Sequence, residues 1–402
     1  MPRKQVILIC VLIFLSLATV FITTPKEQDF ASYADEGYYF RYSQQVASHG
    51  ISQFRLFLKQ HIESQYVRLY PTPSRIGHII LAALWFKIFG ATFISLAHFS
   101  LFCFIVFLIS CFYYAKKFFG IKIALFFVLL LSYSPIMMAL AKRALGDSDA
   151  NLFLALSFWA FMDYLSDQRL RKLGIFIVVF TVSILVKETS LAFIIFIYIF
   201  SLIHKNYFRR PLNTTYLWLS VSVPIILAVS GMIIAFGSFD NFFLMIYSVL
   251  KSRGEAALSP YAVFFGSGPW FKYIVDYLLL SPFTTLMAIG YFGYRLLARR
   301  FEWKIVYFSV FFLVFFLLLS NVKFTKDVRY VMIFEMVFYL FSIFFLFNVT
   351  KGKQKYVLNI IILICFINYF NFIKLFYVNN IYDPVSYHLL WSKEFIPPPS
   401  FR

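Results

Sequence analysis

The chain has 402 residues, of which 61% are hydrophobic and only 14% charged, against roughly 45–50% apolar and roughly 25% charged in water-soluble domains. Its 37 basic and 18 acidic side chains leave a formal charge of +19, but the basic residues come in short clusters between apolar runs, the mark of membrane-protein loops, which sets nucleic acid aside as a partner. The cysteines Cys10, Cys103, Cys111 and Cys365 all lie inside apolar runs, which excludes a disulfide framework or a zinc-binding spacing.

A hydrocarbon core about 30 Å thick needs about 20 apolar residues as helix. The first such run, 5–23, follows Met1-Pro2-Arg3-Lys4 and lacks a clear small-residue cleavage site, so it reads as a retained helix with a cytoplasmic N-terminus. A loop then covers 24–92. Within it Ile51, Phe54, Leu58 and Ile62 recur at helical spacing opposite Arg55, Lys59 and Glu63, predicting a helix resting on the bilayer. The run 76–89 is apolar but only about 14 residues long and carries His78 and Lys87, so it predicts a short span or a surface helix.

Further runs follow at 93–115, 121–141, 149–166, 173–187, 188–204 and 214–236, then, after a second loop at 237–270, at 271–297, 303–320, 330–349 and 356–376. The prediction is an all-α polytopic membrane protein of about eleven spans, a single domain over 1–402, with a short tail containing Pro397-Pro398-Pro399. The positive-inside rule decides the ambiguous helix: if 76–89 lies on the surface, Lys116/Lys117/Lys122, Arg169/Arg171/Lys172, Lys205/Arg209/Arg210, Arg299/Arg300/Lys304 and Lys351/Lys353/Lys355 all fall inside with Arg3 and Lys4.

With that topology the costly polar groups gather at the outer face, where they can share one site: Asp35 and Glu36, Asp147 and Asp149, Lys187 and Glu188, and Lys323, Lys326, Asp327 and Arg329. Asp35-Glu36 stands among aromatics in Ser32–Phe40, and partial desolvation makes a carboxylate a better base; an ordinary solvated pair is the bland alternative. Asp147 and Asp149 would diverge on a helix but could converge in a turn, where with Asn151 they offer hard oxygen donors to a divalent cation such as Mg or Mn; helix capping is the alternative. Lys187-Glu188 reads as a structural ion pair or a snorkelling lysine. Lys323, Lys326 and Arg329 before Tyr330 put cations at the outer interface against the overall asymmetry, which suits a phosphate or generic headgroup contact. His49, His61, His78 and His98 are scattered and read as structural.

One outer carboxylate and a basic cluster suffice for sugar transfer from a lipid phosphate. The polyprenyl phosphate leaves as an anion and needs only charge stabilisation, while a base opposite it takes the acceptor proton in one inverting displacement, without the second, nucleophilic carboxylate of a retaining glycosidase. A transporter or lipid flippase is the alternative, and would place ionisable groups at mid-membrane in two similar halves; Glu335 and Asp276 are the acids that read as lying within spans.

The order Asp35-Glu36, a surface helix ending Lys87-Ile88-Phe89-Gly90, Arg143 with Asp147 and Asp149, Lys187-Glu188, Gly268-Pro269-Trp270 and Arg329-Tyr330 resembles the GT-C membrane glycosyltransferases. It is nearest to the protein O-mannosyltransferases and the bacterial lipid A aminoarabinose transferases, families 39 and 83, and extends best over about residues 1–205. The resemblance implies a bundle with outer juxtamembrane helices, Asp35 as acceptor base or orienter with Glu36 beside it, and Asp147 or Asp149 as a second acidic group. It assigns Lys187 and Arg329 to the donor phosphate, beside Lys323 and Lys326 of the basic cluster, with Arg75, Arg143, Glu188 and Tyr330 in support. The implied partners are a polyprenyl-phosphate sugar donor, membrane lipids and a glycan, lipid or protein acceptor. The expected location is a bacterial cytoplasmic membrane with the active site on the outer face.

Overall fold

In a computed structural model that describes residues 2–210, 212–259, 262–298, 302–321 and 326–391, regular structure is helical. In chain order the helices are α1 (Arg3–Ile22), α2 (Asp35–His49), α3 (Gln53–Glu63), α4 (Gln65–Arg68), α5 (Ile76–Phe89), α6 (Phe93–Phe119), α7 (Ile121–Ser132), α8 (Pro135–Ala141), α9 (Asp147–Asp167) and α10 (Leu170–Val186). There follow α11 (Ala192–Asn206), α12 (Thr214–Phe236), α13 (Phe239–Ala257), α14 (Lys272–Leu280), α15 (Pro282–Ala298), α16 (Trp303–Ser320), α17 (Phe334–Val349), α18 (Gln354–Phe372) and α19 (Ser386–Trp391).

Each of the eleven apolar runs coincides with helical backbone. Among the described residues, six helices are long and apolar enough to cross a membrane, or seven if the bent pair α7–α8 is one span. The other runs fall short for identifiable reasons. Helix α9 carries four aspartates, Asp147, Asp149, Asp163 and Asp167. Run 271–297 is divided at Ser281 into α14 and α15. Helices α10 and α17 have 17 and 16 residues. The 62° bend between α7 and α8 has a local cause: Pro135 opens α8 without an N–H to offer, and the Ser134 hydroxyl caps it by accepting from Met137 N at 3.1 Å.

The chain divides into two units, each discontinuous in sequence: a terminal unit of 1–23, 105–140 and 260–402, and a central unit of 24–104 and 141–259. In the central unit, α9 packs along α10, α10 along α12 and α5, and α2 along α5. The α5–α10 approach requires a glycine: a Cβ on Gly77 would stand 2.8 Å from Leu185 C and Val186 N. In the terminal unit α15 packs on α17, and α7 lies between α1, α17 and α18.

The two predicted loops of the central unit are folded. Helix α3 buries Phe54, Phe57, Leu58 and His61, the first three joining Tyr42, Ile79, Phe236 and Met245 in one apolar cluster, while Ile51 and Ile62 stay exposed. The buried stripe is therefore turned from the expected one, because the partner of this face is α12 and α13 rather than lipid. Most of 237–257 is α13, capped by Ser238, whose side chain accepts from Asn241 N at 3.1 Å.

Candidate active site

In the central unit the outer-face residues read from the sequence converge, each in a distinct role. Asp35 is the first residue of α2, where a negative charge favours the helix dipole; it is half-buried, while Glu36 beside it is fully buried. Glu36 receives Arg143 Nε at 2.7 Å and Nη2 at 2.8 Å, together with the backbone N–H of Ala31 at 2.8 Å and of Ala144 at 3.0 Å. That carboxylate is saturated by a fork and two amides, so it clamps the start of α2 to the segment between α8 and α9. Gly37 completes the turn: a Cβ there would run into the Ser32 carbonyl.

Asp147 and Asp149 open α9 and point to different partners, as residues two apart on a helix must. Asp147 Oδ1 accepts from Lys187 Nζ at 2.6 Å, and Asp149 Oδ2 meets His78 Nδ1 at 2.9 Å. Helical backbone thus separates the two aspartates that the sequence offered as donors to Mg or Mn. Among the described residues no group of three His, Cys, Asp or Glu is arranged to hold a metal ion. The capping alternative is not met, since Gly146 precedes α9 and no side chain caps it; Asp147 and Asp149 instead place negative charge in its first turn.

Lys187-Glu188 is not an ion pair with itself. The break after α10 sends Lys187 to Asp147 and Glu188 to two arginines. Arg75 reaches Glu188 through Nε and Nη2, both at 3.1 Å, and donates from Nη1 to the Tyr39 hydroxyl. Arg253 of α13 also donates to Glu188. Arg253 and Tyr39 were missed in the sequence. Arg253 lies in a segment without a motif, whereas Tyr39 could have been found as the i+4 neighbour of Asp35 on one helix face. Tyr39 is 3% exposed, and burial pushes its phenol above its ordinary range, against the pull of Arg75 and with a further push from Asp35 and Asp147. Its ring stands edge-on to His78, centroids 4.5 Å apart.

The late cations belong to the terminal unit. Lys326 is buried; its ammonium donates to Gly268 O at 2.8 Å and Pro269 O at 3.4 Å, and burial lowers its pKa. Lys272 likewise donates to Phe265 O at 2.8 Å and Ser267 O at 3.2 Å. The first two carbonyls of the Gly268-Pro269-Trp270 landmark are therefore held by the Lys326 ammonium, and two carbonyls just before it by Lys272. Arg329 pairs with Asp327 at 3.3 Å and Asp383 at 3.7 Å, and lies over the Tyr330 ring at 5.2 Å. Lys323 and the Pro397–Pro399 tail lie outside the described residues. Of the two acids that the sequence reading placed within spans, Glu335 is fully buried and accepts from the Ser134 hydroxyl at the α7–α8 bend, and Asp276 accepts from Ser386.

Residues 76–234 match the family model described as dolichyl-phosphate-mannose-protein mannosyltransferase. No curated protein matches the chain. Among solved structures, ArnT from Cupriavidus metallidurans in the apo state aligns with a TM-score of 0.59 at 16% identity, covering 86% of this chain and 61% of that one. The same protein bound to undecaprenyl phosphate aligns at 0.59 and 15% identity, with 86% and 61% covered. The Archaeoglobus fulgidus oligosaccharyltransferase in complex with Zn and sulfate aligns at 0.61 and 13% identity, covering 90% of this chain and 52% of that one. This chain thus spans about three fifths of ArnT and about half of the oligosaccharyltransferase, and at such identities the likeness is one of fold. The chain thus shares with the dolichyl-phosphate-mannose-protein mannosyltransferase family the matched segment 76–234, set in a helical fold similar to that of ArnT.

Proposed function

We propose that the protein moves a sugar from a polyprenyl-phosphate donor to a lipid, glycan or protein acceptor on the outer face of a bacterial cytoplasmic membrane, by one inverting displacement. The observation that carries this reading is the contrast at the start of α2. Glu36 is saturated by Arg143 and two backbone amides, whereas half-buried Asp35 stands on the same helix face as Tyr39, among the charges of Arg75 and Asp147. Asp35 takes the acceptor proton as the acceptor oxygen attacks the anomeric carbon, and the bond to phosphate breaks with its electron pair leaving on the polyprenyl phosphate. Lys187, held by Asp147, and Arg75 are the central-unit cations for that developing anion; Lys326, Arg329 and Tyr330 remain candidates in the terminal unit.

The arrangement supports eleven spans when α9, α10, α14–α15 and α17 are added to the candidates by length and composition, with the N-terminus inside. The transporter alternative needs ionisable groups along a path. Glu335 and Asp276 are instead tied to serines inside the terminal unit. Purified protein given a panel of radiolabelled polyprenyl-phosphate sugars and a cell-envelope extract is expected to move label to an acceptor. The Asp35→Asn variant should do so about 10²-fold more slowly or worse with an unchanged melting temperature. Full activity in that variant would remove Asp35 from the mechanism, and solute or lipid flux in liposomes without label transfer would favour the transporter.

A further inference from the structure

Tyr39 is buried in the candidate site and its hydroxyl is half used. The oxygen accepts from Arg75 Nη1, and among the described residues no acceptor takes the phenolic proton. Arg75 is in turn fixed by two hydrogen bonds to Glu188, and the ring is held edge-on against His78, whose Nδ1 is tied to Asp149. Both the position of the oxygen and the direction of its lone pair toward Arg75 are therefore set by other elements. Asp35 lies one helical turn before Tyr39 on the same face of α2, and its charge and that of Asp147 are felt at the hydroxyl. A buried O–H without an acceptor costs free energy unless something supplies one.

Resting on the transferase reading, we propose that Tyr39 is a substrate-contacting residue, its O–H donating to the acceptor oxygen that Asp35 deprotonates. The electron count suits a hydroxyl acceptor. One lone pair of its oxygen forms the bond to the anomeric carbon while the second accepts from Tyr39. Its proton passes to the Asp35 carboxylate, and the broken carbon–oxygen bond leaves its pair on the donor phosphate. An amine has a single lone pair, and the same donor would occupy it. Tyr39 keeps its proton throughout, and Arg75, by occupying one phenolic lone pair, keeps that proton turned away from Glu188.

The test uses the full-length protein in detergent with whichever polyprenyl-phosphate sugar of the radiolabelled panel the wild type consumes. Tyr39→Phe removes only the oxygen and keeps the ring against His78. Its kcat for transfer is expected to fall about 10²-fold, the usual consequence of losing one aimed donor, with donor binding and melting temperature unchanged. Replacement by 3,5-difluorotyrosine, a more acidic phenol, should shift the high-pH limb of the rate profile to lower pH, because a phenolate cannot donate. Wild-type turnover in Tyr39→Phe would overturn the proposal. So would a matching loss of donor binding and thermal stability, which would reduce Tyr39 to a prop for Arg75, and so would an unmoved pH profile in the fluorinated protein. Wild-type protein inactive with every donor would instead overturn the transferase reading itself.

Discussion

At the scale of single residues, adjacent side chains of like chemistry have been given opposite work. Asp35 and Glu36 are both carboxylates in the first turn of α2, yet Glu36 is enclosed by Arg143, Ala31 N and Ala144 N while Asp35 remains half-buried. Breaking a buried pair strands a charge, at a cost of about 3–5 kcal/mol. Glu36→Gln is therefore expected to lower the melting temperature sharply, whereas Asp35→Asn leaves it in place, a difference read directly by thermal unfolding in detergent. Equal melting temperatures would contradict the division of roles. The sequence made the pair conspicuous but could not apportion it, because the residue that claims Glu36 lies 107 positions away. The same holds for Asp147 and Asp149: their spacing foretold divergence on a helix, and only the positions of Lys187 and His78 show where each goes.

At the scale of elements, α3 and α13 of the central unit are joined by a titratable latch. His61 on α3 bonds through Nδ1 to Ser248 Oγ of α13 at 2.7 Å, and Arg68 binds Glu255 of α13 at 2.9 and 3.1 Å. Burial, reinforced by the charge of Arg68 and opposed by Glu255, lowers the His61 pKa to about 4. A histidine whose folded pKa lies below its unfolded value of about 6.5 stabilises the fold fully above pH 6.5, and that stability is lost as pH falls toward 4. Protection factors of the amides in α3 and α13, taken relative to intrinsic exchange at each pH, should accordingly fall between pH 6.5 and 4, and His61→Gln should flatten that fall. Protection factors unchanged by pH in the wild type would show that the latch does not titrate. Glu255, lowered chiefly by its hydrogen bond to Arg68, gives way only at the acid end. The existence of α3 was legible from its periodicity. Its buried face was not, because Phe57 and His61 in place of Ile51 and Ile62 reflect a protein partner that local sequence does not name.

For the whole molecule, the basic loops test the orientation. In the terminal unit Lys304 Nζ donates to Phe118 O at 2.8 Å, bringing two basic loops to one end. In the central unit Asn213 N donates to Gln168 Oε1 at 3.2 Å, doing the same for the loops after α9 and α11. Those ends are expected to be cytoplasmic. A cysteine placed at exposed Ser52 should react with a membrane-impermeant maleimide in intact cells, and one at exposed Ser166 only after permeabilisation; the reverse pattern would invert the topology. Sequence by itself determined that this is a helical membrane protein, where its apolar runs lie and which polar residues are too costly to be incidental, because these follow from composition and from the length of helix a bilayer demands. Only the tertiary structure decided which carboxylate is saturated, that the paired aspartates part company, and that Tyr39 and Arg253 join the cluster, since each depends on side chains brought together from helices far apart in the chain.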